Sequence, residues 1–167
     1  MAYRNKTYVC FDADSDIRYY RLMQAWKQND NTDFDFYNAH ELFRILPTSS
    51  EETIKHNLRE RLKNTKVFVL LVGEQTRYLY RFVHWEIEQA LKLDLPIIAV
   101  NLNGRRSIDV DRIPPLLRGE LAIHISFNAA IMQYALESWE NRFYELKRNG
   151  ETGPYYYKDS VYNDLGL

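Results

Sequence analysis

Glu86 is singled out by where it falls on a helix. Val83, Ile87, Ala90 and Leu91, with Leu79 one turn earlier, recur at three- and four-residue spacing, the pattern of a helix with one apolar stripe. Glu86 follows Val83 by three residues and precedes Ala90 by four, so it projects from within that stripe. A carboxylate directed at a core-facing surface must find partners or shift its pKa. Phe82 stands one turn before it, and His84 and Trp85 flank the same turn. Two readings stay open on the pattern: a carboxylate held for chemistry, or a glutamate at the stripe edge that reaches water or pairs with an arginine.

Other residue sets carry less. Asp12, Asp14 and Asp16 could bind Mg²⁺, as the acidic cluster of a receiver domain does, but a receiver needs an aspartate at the end of its third strand and Gly73-Glu74 occupies that place. The histidines at 40, 56, 84 and 124 have no metal-ligand spacing, so no metal site is expected. No Walker loop, G-x-G-x-x-G or G-x-S-x-G occurs, and Gly73 and Gly104 are isolated. Cys10 lies inside an apolar run, which suits packing better than nucleophilic attack. Arg105-Arg106 could meet phosphates, although such a pair is usually a solvated loop.

The elements that must position these residues alternate. Thr7–Phe11 reads as a strand, and Ser15 or Asp16 caps a helix that places Tyr19, Leu22, Met23 and Trp26 on one face. Asp33–Tyr37 is a second strand. Ser49 and Glu52 form a capping box that opens a helix with Ile54, Leu58 and Leu62 in its stripe and Asn64-Thr65 at its end. Val67–Val72 is apolar throughout, as in a parallel strand buried on both faces. Thr76 caps the Glu86 helix, which runs to about Leu93. Ile97–Val100 and Leu121–Phe127 are further strands, and Asn128–Lys147 is a long helix with Leu136, Trp139, Phe143 and Leu146 on one face. This alternation predicts an α/β fold: a three-layer, flavodoxin-like sandwich around a mostly parallel five-stranded sheet. Ligands of such sheets sit beyond the carboxyl ends of the strands. Those ends are Phe11–Asp14, Asn38–Glu41, Gly73–Thr76 and Asn101–Arg106.

The composition excludes several classes. The 167 residues suit one domain. Lys+Arg 22 against Asp+Glu 23 leaves a net charge of −1, so no global basic field draws nucleic acid or a membrane surface. One cysteine excludes an internal disulfide. No apolar run is long enough to span a bilayer and no signal peptide is read, so a cytoplasmic protein is expected. Aromatic residues reach 14%, enough that several must lie at the surface, where binding sites often use them.

The segment Ile54–Asn103 resembles the TIR-like family that includes the ThsB-type proteins of Thoeris anti-phage defence. The matching words are I-x-x-x-L-x-x-x-L-x-N-T (Ile54 to Thr65), VLLVGEQT (Val69–Thr76), FVHWEI (Phe82–Ile87) and PIIAVNLNG (Pro96–Gly104), with YVCFDADSD similar to the first strand and loop of TIR domains. The resemblance covers most of residues 6–148. It implies a TIR-like sandwich and a glutamate, here Glu86, that acts on NAD⁺ in a W-x-x-x-E-like pattern in which Phe82 replaces the commoner Trp. Cys10 stands where the first strand often carries Ser or Thr.

The implied reaction is cleavage of the nicotinamide–ribose bond, by an NAD⁺ glycohydrolase or ADP-ribosyl cyclase that makes an ADP-ribose-derived signal nucleotide. A carboxylate on the ribose hydroxyls can orient the sugar and stabilise an oxocarbenium-like transition state. NAD⁺ is then the substrate and no resident cofactor is required. Phe11, Asp12, Asn38, Phe82, Trp85 and Asn103 are the expected NAD⁺-contacting residues. The resemblance further implies a homo-oligomer on activation, a phage-derived trigger and a separate effector that senses the product. The alternatives are a non-catalytic TIR-like interaction module and a nucleoside 2-deoxyribosyltransferase-like enzyme. Residues 1–148 are expected to form the TIR-like domain and 149–167 a Tyr-rich C-terminal tail; Gly104–Gly119 reads as an insertion, either a lid or a contact surface.

Overall fold

The computed structural model describes residues 7–28, 36–38 (backbone only) and 50–167. Strands β1 (Thr7–Cys10), β2 (Phe36–Asn38), β3 (Val67–Val72), β4 (Ile97–Asn101), β5 (Ala122–Ser126) and β6 (Pro154–Tyr156) form one sheet in the order β2-β1-β3-β4-β5-β6. Every pairing is parallel. Parallel strands need crossovers that cover both faces. Here α1 (Ile17–Gln28) and α4 (Ala129–Arg148) supply one layer, α2 (Glu51–Lys63) and α3 (Val83–Lys92) the other.

Strand alternation sorts the core. Val9, Phe11, Val69, Leu71, Val100 and Ile125 pack with Tyr20, Met23 and Trp139 on the α1/α4 side. Tyr8, Cys10, Phe68, Leu70 and Ala99 face Leu58, Leu62 and Ile87 on the α2/α3 side. A core-facing side chain on α3 therefore shares its layer with the even-numbered positions of β1.

The three-layer α/β expectation is met with five parallel strands where the sequence placed them, except that the second, expected at Asp33–Tyr37, is seen as Phe36–Asn38, residues 33–35 lying outside the described residues. The sixth comes from the tail. Gly150 and Gly153 take positive φ, a conformation glycine adopts without penalty, and turn the chain after α4. Tyr155 then pairs with Ile123, and α5 (Asp159–Asp164) buries Tyr162 completely. The Tyr162 hydroxyl accepts the Ser126 N–H at 3.2 Å, and the Arg106 guanidinium lies 4.2 Å from its ring centroid. Residues 154–167 thus close the carboxyl end of β5.

Several boundaries differ from the sequence reading. The cap of α2 is Ser50, whose side chain accepts the Thr53 N–H, so the helix starts one residue later than a Ser49 box would give; Ser49 itself lies outside the described residues. On α1, Tyr19, Met23 and Trp26 pack on the core as expected, but Leu22 is 48% exposed, and Tyr20 is buried with its ring stacked on Phe11, centroids 4.8 Å apart. Thr76 opens a single 3-10 turn, Thr76–Tyr78, and α3 begins only at Val83. The insertion is pinned rather than loose: Ile113 and Leu117 are fully buried in the α2/α3 core, and Asn101 Nδ2 donates to the carbonyls of Arg105 and Ser107.

Candidate functional site

The chain leaves β1 outward to β2 and crosses back to β3 on the other side of β1. The point where strand order reverses lies between β1 and β3, and crevices form there at the carboxyl ends. Asp12 to Asp16 follow β1, and Gly73 to Thr76 follow β3. Thr76 Oγ1 accepts the Gly73 N–H at 2.8 Å, which fixes the turn after β3. The Asp16 carboxyl packs so closely on Gly73 that a Cβ there would sit 2.2 Å from Asp16 Oδ2. Asp12 and Asp16 are both buried, and burial followed by the charge of Asp12 pushes the Asp16 carboxyl above the usual range.

Below this crevice, on the α2/α3 side, sits Glu86. It lies in the first turn of α3, where the helix dipole favours a carboxylate. Its N–H closes the first turn on the Phe82 carbonyl at 2.7 Å. The residue is 1% exposed. Tyr8, from the middle of β1, donates its hydroxyl to Glu86 Oε2 at 2.8 Å. Glu86 Oε1 has no hydrogen-bond partner among the described residues. Burial raises its pKa from 4.5 to about 7, against the pull of the Tyr8 hydroxyl and the Cys10 thiol. Burial, then the nearby Glu86 charge, holds both of those groups in their protonated forms. The arrangement is a buried carboxyl poised to titrate near neutrality, with one oxygen held and one uncommitted.

The remaining expected residues divide. Phe82 and Trp85 are half-buried beside Glu86 on α3. Arg81 spans to Glu51 at 3.1 Å and lies 5.4 Å from the Phe82 ring centroid, tying the start of α3 to α2. Trp85 turns toward α2, with Lys55 Nζ 5.5 Å and Arg59 Cζ 5.3 Å from its ring centroid. Phe11 is wholly buried on the opposite side of the sheet, stacked on Tyr20. Asp12 accepts the Asp14 N–H at 3.1 Å at the head of the β1 loop. Asn103 binds its own loop, donating to Asp109 Oδ2 at 2.8 Å and accepting the Arg105 N–H at 3.2 Å. Asn38 ends β2 opposite Val9, and its side chain, like His40, lies outside the described residues. Glu86, Phe82 and Trp85 therefore share one turn, Asp12 lies at the crevice mouth, and Phe11 and Asn103 are engaged elsewhere.

Sequence reasoning missed Tyr8. The signal was available: Tyr8 and Cys10 share one face of β1, and a buried tyrosine needs a partner for its hydroxyl. It also missed the Asp16–Gly73 contact, for which an isolated glycine directly after a buried strand was the only sign.

An all-parallel sheet of this order, layered by helices on both faces, is an α/β sandwich of the flavodoxin-like kind, to which TIR-like domains conform. The family profile described as Thoeris protein ThsB, TIR-like domain, matches residues 8–107, and the chain belongs to that family. The match spans β1 to β4 and includes Tyr8, Asp16, Gly73 and Glu86. No curated protein gives a significant match. Among the described residues, no helix is long and apolar enough to cross a membrane.

Proposed function

We propose that this chain is an NAD⁺-processing enzyme of anti-phage defence that breaks the nicotinamide–ribose bond and passes the ADP-ribosyl group to an acceptor, making a signal nucleotide. The observation that carries the reading is Glu86: a fully buried carboxyl near the reversal point, with Oε2 held by Tyr8 and Oε1 uncommitted. In the proposed step the C1′–N bond breaks and its electron pair leaves with nicotinamide, which becomes neutral. Glu86 accepts from the ribose hydroxyls and stabilises positive charge on the sugar. Water, a group of the nucleotide itself, or another small molecule then bonds to C1′ and loses a proton, giving ADP-ribose, a cyclic isomer or a conjugate. Phe82 and Trp85 share a turn of α3 with Glu86, Asp12 follows the carboxyl end of β1, and substrate entry requires Glu86, buried in this structure, to be uncovered. The same reading includes cytoplasmic action, assembly of copies on activation, a phage-derived trigger and an effector that senses the product.

A second reading, a non-catalytic interaction module, draws on two observations. Glu86 is sealed from solvent, as a structural carboxyl would be. Tyr78 and Tyr80, in the segment leading to α3, are 58% and 64% exposed, as contact residues would be. Mass spectrometry of NAD⁺ incubated with the protein, in buffer and in lysate of phage-infected cells, separates the two. The enzyme reading expects free nicotinamide together with an ADP-ribosyl product whose mass names the acceptor. Intact NAD⁺ in both conditions, with protein shown to be folded, favours the interaction module.

A further inference from the structure

We propose that Tyr8 is the positioning residue of this site: its phenol holds Oε2 of Glu86 and so fixes Oε1 as the oxygen offered to substrate. The inference rests on the reading of Glu86 as the ribose-facing carboxylate, but its geometry stands on its own. Tyr8 is on β1, the strand paired with both β2 and β3, and is 0% exposed. Its ring stacks on Phe68 of β3, its register partner, at 5.5 Å and 13°. The ring plane is therefore set by the sheet, not by the helix that carries Glu86.

A carboxylate can rotate about its last side-chain bond. One firm donor on one oxygen removes that freedom and directs the other oxygen. Positioning of this kind is what a preorganised site requires, since small displacements of a reacting group are costly. Tyr8 keeps its donor proton, because burial and the adjacent Glu86 hold its phenol in the protonated form.

The groups that face Glu86 are few. From β1 they are Tyr8 and Cys10, and on α2 the charge of Arg61 acts on Tyr8. The surrounding strand positions Phe68, Leu70 and Ala99 are apolar. Loss of the Tyr8 hydroxyl therefore removes one of the two side chains that, among the described residues, favour the ionised carboxylate.

Tyr8→Phe keeps the ring stack and deletes the donor. The Glu86 carboxyl is followed by ¹³C NMR of glutamate-labelled protein, with Glu86→Gln identifying its resonance. Its titration midpoint is expected near 7 in the wild type and higher by about one pH unit in Tyr8→Phe, since hydrogen bonds to charged groups are strong. In tyrosine-labelled wild type, the Tyr8 ring carbon bearing the hydroxyl moves at the Glu86 midpoint. In turnover, the pH–rate profile of Tyr8→Phe shifts in step with that midpoint and kcat falls by at least about tenfold, with KM nearly unchanged. An unchanged Glu86 midpoint, or a Tyr8 resonance blind to it, overturns the inference. If wild-type protein cleaves no NAD⁺ the enzyme reading fails, and the two titrations still decide whether Tyr8 holds Glu86.

Discussion

Two buried groups titrate in opposite directions, and their effects on stability nearly cancel over part of the pH range. Glu86 is raised from 4.5 to about 7 in the folded chain, so the folded state holds this proton more tightly than the unfolded state. The resulting stabilisation is fully present below the unfolded pKa and is lost as pH rises through the folded one. At 1.36 kcal/mol per pH unit, it amounts to about 3 kcal/mol. His124 on β5 is fully buried, with neither ring nitrogen hydrogen-bonded among the described residues, and is lowered from 6.5 to about 4 by burial. Its folded form refuses the proton, so stability is present above the unfolded pKa and lost as pH falls through the folded one, again by about 3 kcal/mol. Between roughly pH 4.5 and 6.5 the two slopes oppose each other.

Single variants separate them. Relative to wild type, Glu86→Gln gains about 3 kcal/mol on going from pH 4 to pH 8. His124→Leu shows the reverse, gaining relative to wild type as pH falls through the same interval. Urea unfolding at a series of pH values gives the differences, read from the midpoint and slope of each curve. Asp16 and Asp109 also titrate abnormally, but neither contacts Glu86 or His124, so they cancel in the comparison. A Glu86→Gln difference that is constant from pH 4 to pH 8 would refute the reasoning, because it would mean that the carboxyl is as well solvated when folded as when unfolded.

Gly73→Ala places a Cβ 2.2 Å from Asp16 Oδ2 and should cost about 1–3 kcal/mol in urea unfolding; Asp16→Ala in the same chain should restore most of it. Tyr162→Phe leaves the buried Ser126 N–H without its acceptor at 3.2 Å, and a loss of about 1–3 kcal/mol is expected by the same measurement, showing that the C-terminal segment is part of the folded unit.

Much of the frame was legible in the residues. The unbroken apolar run of Val67–Val72 read as a strand buried on both faces, and the structure pairs it on both sides with both faces covered. The stripe Ile54, Leu58 and Leu62 is buried as its spacing required. Glu86 could be placed on a core-facing stripe because Val83, Ile87 and Ala90 bracket it. Its partner could not be named, because which strand position lies beneath a helix turn depends on sheet order, and composition leaves that open. On α1, Tyr19, Met23 and Trp26 pack on the core as their spacing required, but Leu22 is exposed, and the burial of Tyr20 against Phe11 could not be read because it depends on which strand residue lies beneath. The tail gave no strand signal. Pro154–Tyr156 is three residues long at the sheet edge, and it is held there by β5 and by the burial of Tyr162 rather than by its own pattern.

The most direct test of the central claim compares nicotinamide release from NAD⁺ by wild type and by Glu86→Gln, both shown to be folded, at high protein concentration. Wild type is expected to release nicotinamide, and the variant none above background. Equal release by both would remove Glu86 from the chemistry.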